Sequence, residues 1–91
     1  MKTHELKTWP SYFEAIINGT KTFEVRRNDR DFAPGDTLLL KEFDPGREAQ
    51  GFFGTTGREI TCGVGAVLHG GQFGIESGYC VMSIFYHPKL T

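Results

Sequence analysis

The sequence predicts an α+β fold: a small β-barrel with one main helix packed against it. Three observations predict it. A single stretch with helical spacing lies near the N-terminus, just after Trp9. Five β-prone runs surround it at short intervals, in the order β-α-β-β-loop-β-β. Twelve glycines in 91 residues supply the bends that such closely spaced strands need. With no repeat and no linker, residues 1–91 make one domain, and the simplest closure is a barrel plugged by the early helix.

The elements follow in chain order. Thr3 to Thr8 alternates loosely around Leu6 and predicts a first strand. Trp9-Pro10-Ser11 opens a helix, because proline fits a first turn whose N–H groups have no partner. Tyr12, Phe13, Ile16 and Ile17 form its apolar stripe, and Asn18-Gly19 ends it in a left-handed cap. Lys21 to Asn28 is the second strand, followed by the polar turn 28–31. Ala33-Pro34-Gly35-Asp36 is a second turn, of type II by its Pro-Gly pair. Thr37 to Phe43 is a central strand, with Leu38 and Leu40 on one face, and Asp44-Pro45-Gly46 closes it. Arg47 to Gly57 reads as a hairpin loop carrying Phe52 and Phe53, either a stacking platform or a hydrophobic contact under the loop. Arg58 to Leu68 is a fourth strand, with Ile60, Cys62, Val64, Ala66 and Leu68 on one face. Gly63 and Gly65 on the other face predict a bulge or bend. His69 to Gly74 is a mobile glycine-rich loop, without the lysine and helix of a phosphate-binding loop. Tyr79 to Tyr86 is a last strand, apolar enough to predict burial on both faces.

Composition narrows the function classes. Hydrophobic residues at 38% and charged residues at 23% describe a globular chain. A formal net charge of −1 removes any global drive toward nucleic acid or anionic membrane. Phosphate binding must therefore come from a local patch. Lys21, Arg26, Arg27 and Arg30 supply one, set against Glu24, Asp29 and Asp31. The apolar runs, Thr37 to Leu40 and Tyr79 to Tyr86, are too short to span a bilayer, and Met1 to Glu5 holds no apolar leader segment. A cytoplasmic protein with no membrane partner is expected. Cys62 and Cys80 sit in apolar strands without metal-ligand spacing, so they are expected as buried thiols. No cofactor or metal is predicted, and no signal sets an oligomeric state.

The run Gly19-Thr20-Lys21-Thr22-Phe23-Glu24-Val25-Arg26 carries the chemistry. Strand alternation separates Phe23 and Val25, expected to feed the core, from Glu24 and Arg26, expected to form a charged face entered at Lys21. Arginine offers a two-pronged grip on phosphate or a base edge, lysine a point charge, and glutamate an acceptor for an exocyclic amine or a prop for Arg26. The bland alternative is an ion network that only positions the strand. His4 and Lys7 flank Leu6 on the first strand as further phosphate contacts. A partly exposed edge histidine is the competing reading for His4. Trp9 and Phe73 are candidates for stacking a base.

That run matches, at all four defining positions, the Gly-x-Lys-x-x-Glu-x-Arg signature of the ASCH domain family within the PUA-like superfamily. The preceding helix and the following Pro-Gly-Asp turn match as well. The chain as a whole resembles a minimal member, from a small subfamily without assigned function that begins His-Glu-Leu-Lys, as at His4 to Lys7. The resemblance implies a barrel of about five to six strands, with a cleft in which Lys21, Glu24 and Arg26 converge. It also implies RNA or a modified nucleoside as ligand. One branch of the family removes an acyl group from N4-acetylcytidine with a threonine nucleophile. The matching position here is Glu24, and the span from Leu68 to Tyr79 is too short for that branch's extra helical segment.

Three functions follow. The first is an RNA- or nucleotide-binding module using Lys21, Glu24 and Arg26, extended by Arg27, Arg30, His4, Lys7 and Trp9. The second is a small amidohydrolase or ribonuclease with Lys21 as base or stabiliser, Glu24 as general acid or base, and Arg26 as the oxyanion or phosphate clamp. A carboxylate beside the lysine favours the ammonium form and argues against its use as a base. The third is a protein-interaction domain in which the charged motif is structural.

Overall fold

The computed structural model describes residues 1–88. Its elements are β1 (Thr3–Thr8), α1 (Pro10–Ile17), β2 (Phe23–Arg27), β3 (Thr37–Phe43), α2 (Pro45–Ala49), β4 (Thr55–His69) and β5 (Tyr79–Tyr86). The five strands form one mixed sheet in the order β1-β3-β4-β5-β2, curled into a half-barrel. The β1–β3 pair is parallel and the other three pairs are antiparallel. Both edge strands, β1 and β2, therefore bound the open seam of the half-barrel.

The inner face of the sheet makes the core. Leu6, Leu38, Leu40, Ile60, Cys62, Val64, Cys80, Met82 and Ile84 alternate inward from β1, β3, β4 and β5. Phe13 and Ile16 of α1 plug the concave side, with Phe32 from the β2–β3 connection. The helix begins with Pro10 at its first position, and Gly19 past its end has φ +84°. Tyr12 departs from the expected apolar stripe and is exposed. Cys62 and Cys80 are both free and buried, and burial pushes both thiols up, Cys62 to about 11.

Strand β2 reverses one expectation. Phe23 and Val25 are 47% and 51% exposed, whereas Glu24 is 3% exposed. The register with β5 explains the phase, since Glu24 lies opposite Met82 and Arg26 opposite Cys80. Cross-strand partners share a face, and β5 commits Cys80, Met82 and Ile84 to the core. The charged face thus points inward and the apolar face outward.

Strand β5 itself buries one face only: Ser83 and Phe85 are exposed on the other. On β4 the pairing shifts between Val64 and Val67, a bulge at the glycine-flanked position. It moves Ala66 and Leu68 out of the inward face and brings Val67 against the core. The expected hairpin loop after β3 holds the short helix α2 instead. Asp44 caps it, its carboxylate accepting from the Gly46 N–H at 2.9 Å, with Pro45 in the first turn. Gly54, where β4 approaches, must be glycine because a Cβ there would fall 2.2 Å from the Phe43 ring.

The glycine-rich segment after β4 is held by backbone bonds. Gly70 N–H donates to the Tyr79 carbonyl, and Gly71 N–H to that of Ile75. Pro34-Gly35 forms the expected turn, with Gly35 at φ +89° and the Asp36 N–H donating to the Ala33 carbonyl at 3.1 Å. No helix among the described residues is long and apolar enough to cross a membrane.

Candidate functional site

Where the seam between β1 and β2 stays open, a cleft of about 680 Å³ forms. One wall comes from the end of β1 and the start of α1: Lys7, Thr8, Trp9 and Tyr12. The other comes from β2 and the segment before it: Thr20, Lys21, Phe23, Glu24, Val25 and Arg26. Local structure fixes the second wall. The Lys21 N–H donates to the Ala15 carbonyl of α1 at 2.9 Å, which ties the entry of β2 to the helix. The Thr22 carbonyl accepts from the Ile84 N–H at 3.0 Å, which sets β2 in register on β5.

Glu24 is the centre of the site. One of its oxygens, Oε1, accepts from Lys21 Nζ at 2.5 Å, and Oε2 accepts from Arg26 Nε at 2.8 Å. A buried carboxylate needs such partners, since leaving it uncompensated costs several kcal/mol, roughly 3–5 by analogy with broken buried pairs. Lys21 also donates to the Phe23 carbonyl, and its ammonium lies 5.6 Å from the Tyr12 ring centre and 5.1 Å from that of Phe23. Arg26 Nη2 reaches across the seam to donate to Thr8 Oγ1 at 3.2 Å. The two edge strands are bridged there by side chains.

Above this floor the walls are aromatic. Trp9 and Tyr12 stack at 6.1 Å between centres with 9° between planes, and both are about half exposed. The lining holds three cationic side chains (Lys7, Lys21, Arg26) and one carboxylate, so the cleft is locally positive in a chain of net charge −1. Sites of this volume, apolar-walled with a few convergent polar groups, are of small-molecule size.

Of the eight candidate residues, five meet here: Lys7, Trp9, Lys21, Glu24 and Arg26. The other three lie elsewhere. Arg27 points outward over the Tyr79 ring, 5.4 Å from its centre. Arg30 donates to the Glu5 carbonyl at 2.7 Å, outside the cleft lining. His4 is buried rather than partly exposed. Its Nε2 lies 2.9 Å from Asp36 Oδ2, and its ring packs edge-on to Phe32 at 4.7 Å. Asp36 also accepts from the Lys2 and Ala33 N–H groups. The His4 hydrogen bond, with those from the backbone, lowers its carboxyl to about 2. That pair closes the far end of the half-barrel. Phe52, Phe53 and Phe73 are strongly exposed but lie outside the cleft.

Sequence reasoning missed Thr8, Tyr12, Thr20, Phe23 and Val25 as lining residues. A signal existed for Thr8, which alternates in phase with His4 and Leu6 and is 3% exposed. Each Glu24 oxygen already accepts one hydrogen bond from a cation, and its side chain is 4% exposed.

A family model for a domain of unknown function (DUF3850) matches residues 3–84. The chain belongs to the DUF3850 family. The match runs from the first residue of β1 into β5, so it takes in both walls of the seam. An uncharacterised 12.9 kDa protein in the GpA 3′ region of Escherichia phage P2 is similar, 41% identical over 59 residues. That alignment covers 65% of this chain and 48% of the phage protein, so the chain spans about half the length of this relative.

Proposed function

We propose that this DUF3850 chain is an RNA- or nucleotide-binding module on a PUA-like barrel of the ASCH type, with its ligand in the seam between β1 and β2. One observation carries the reading. Lys21, Glu24 and Arg26, which make up the charged part of the signature run, converge with Lys7 and the stacked Trp9 and Tyr12 in one open cleft. Cations beside a solvent-facing aromatic plane are what a phosphate-bearing base needs. A general acid–base role for Glu24 has less support, since the carboxylate is clasped between two cations.

The test is a titration with short single-stranded RNAs and single nucleosides at two salt concentrations, on wild type and on Lys21→Ala/Arg26→Ala. Salt-sensitive binding by wild type that the double variant loses supports the proposal. Product analysis of the same samples separates a binder from an enzyme. Failure of folded wild type to bind any probe overturns it.

A further inference from the structure

The polar groups of the cleft divide unevenly into donors and acceptors. Its one carboxylate, Glu24, has each oxygen engaged by a cation and is nearly closed to solvent. The donors are only partly used. Among the described residues, the five N–H bonds of the Arg26 guanidinium serve Glu24 and Thr8 alone, and the three of the Lys21 ammonium serve Glu24 and the Phe23 carbonyl. Lys7 also lines the cleft, but its ammonium rests 4.5 Å from the centre of the Phe43 ring, outside that lining. The side chains at 15% and 23% exposure for Lys21 and Arg26 keep these spare donors in reach of solvent.

The charged groups of the cleft are mostly donors, set beside the hydroxyls of Thr8, Tyr12 and Thr20, and a net positive lining favours a ligand that accepts hydrogen bonds and carries negative charge. The Trp9–Tyr12 stack selects a flat group beside it. The cleft's 680 Å³ is of small-molecule size, with room for one nucleotide. We infer that the site takes a single phosphorylated nucleotide, its phosphate on Lys21 and Arg26 and its base against Trp9, and discriminates against the unphosphorylated nucleoside. This rests on the nucleotide-site reading above and narrows it. The nucleotide can be free or the phosphorylated end of an RNA, since both present the same group.

The experiment follows Trp9 fluorescence in wild type during titration with uridine, uridine 5′-monophosphate, adenosine, adenosine 5′-monophosphate and inorganic phosphate. A short RNA with and without a 5′-phosphate completes the set. Charge-assisted hydrogen bonds to one phosphate predict that each nucleotide binds about tenfold or more tighter than its nucleoside at low salt. The ratio falls as salt rises, and inorganic phosphate competes with the nucleotide. A tighter 5′-phosphorylated RNA than mononucleotide assigns the RNA end as the source, and the reverse order assigns the free nucleotide. Arg26→Gln, which keeps an amide donor toward Glu24, removes most of the preference. A melting curve checks that this variant is folded, and phosphate competition in wild type tests the inference without any variant. Equal affinity for nucleotide and nucleoside, both lost in Lys21→Ala/Arg26→Ala, overturns the phosphate preference and leaves the nucleotide site standing. No binding of any probe overturns both.

Discussion

Of the three buried carboxylates among the described residues, Asp36, Glu42 and Glu24, two are satisfied in contrasting ways. Asp36 accepts from two backbone N–H groups and bonds His4, which is itself buried against Phe32. Those partners come from the residue before β1 (Lys2), from β1 (His4) and from the turn before β3 (Ala33). Glu24 is held by two long cationic side chains that retain further donors toward an open cleft. A closed set of partners is structure. A clasp that keeps donors beside an open cleft is the arrangement the proposed ligand site rests on, and that contrast separates His4 from Lys21 more sharply than residue type does.

The largest test of the contrast is Glu24→Ala. It leaves Lys21 and Arg26 without their shared counter-charge and is expected to cost about 3 kcal/mol, toward the lower end for a broken buried pair because both cations can reach water. Lys21→Ala leaves Glu24 still paired with Arg26 and should cost clearly less. Urea denaturation of the two variants compares them, and equal losses would contradict the clasp.

How much of this was legible in the sequence differs by end. The bounds of β1, β3 and β5, the single main helix and the Pro34-Gly35 turn follow from local alternation, helical spacing and turn chemistry. So does the gathering of Lys21, Glu24 and Arg26, since residues two and three apart around one strand entry have little freedom to separate. The inward phase of β2 was not legible. Phe23 and Val25 are good core residues by type, and only the register on β5, nearly sixty residues away, turns Glu24 inward. The same holds for His4, whose partner Asp36 is 32 residues distant. Helix α2 was missed for a different reason: Asp44-Pro45 serves equally as a turn and as a helix cap, and the sequence alone favoured the turn.

The closed end has its own signature in pH. The hydrogen bond from His4 and those from the backbone hold the Asp36 carboxyl at about 2, below its ordinary 3.8. A depressed carboxyl stabilises the folded state above its unfolded value, so this contribution is present above pH 3.8 and is lost as pH falls from there toward about 2. Asp36→Asn lacks it. The stability gap between wild type and Asp36→Asn should therefore be widest above that window and shrink across it, as followed by denaturation at a series of pH values. A gap that does not change with pH would mean that Asp36 is not held as a carboxylate.

The smallest expected effect on stability is that of Trp9→Ala. Trp9 is 55% exposed, so its removal should change stability by less than about 1 kcal/mol. The same change should weaken nucleotide binding by roughly tenfold, the scale of one lost base–aromatic stack. Melting curves and titrations of the one variant supply both numbers. A large loss of stability with unchanged binding would make Trp9 part of the packing and not of the site.

The most direct test of the central claim is a two-dimensional ¹H–¹⁵N spectrum of wild type during titration with uridine 5′-monophosphate, with adenosine 5′-monophosphate alongside. The account predicts shifts at the Trp9 indole N–H, at the amides of Thr8 and of residues 20–26, and at the Arg26 Nε–H, with the amides around His4 and Asp36 still. Shifts centred on the His4–Asp36 end, or no shifts from a folded protein, would contradict it.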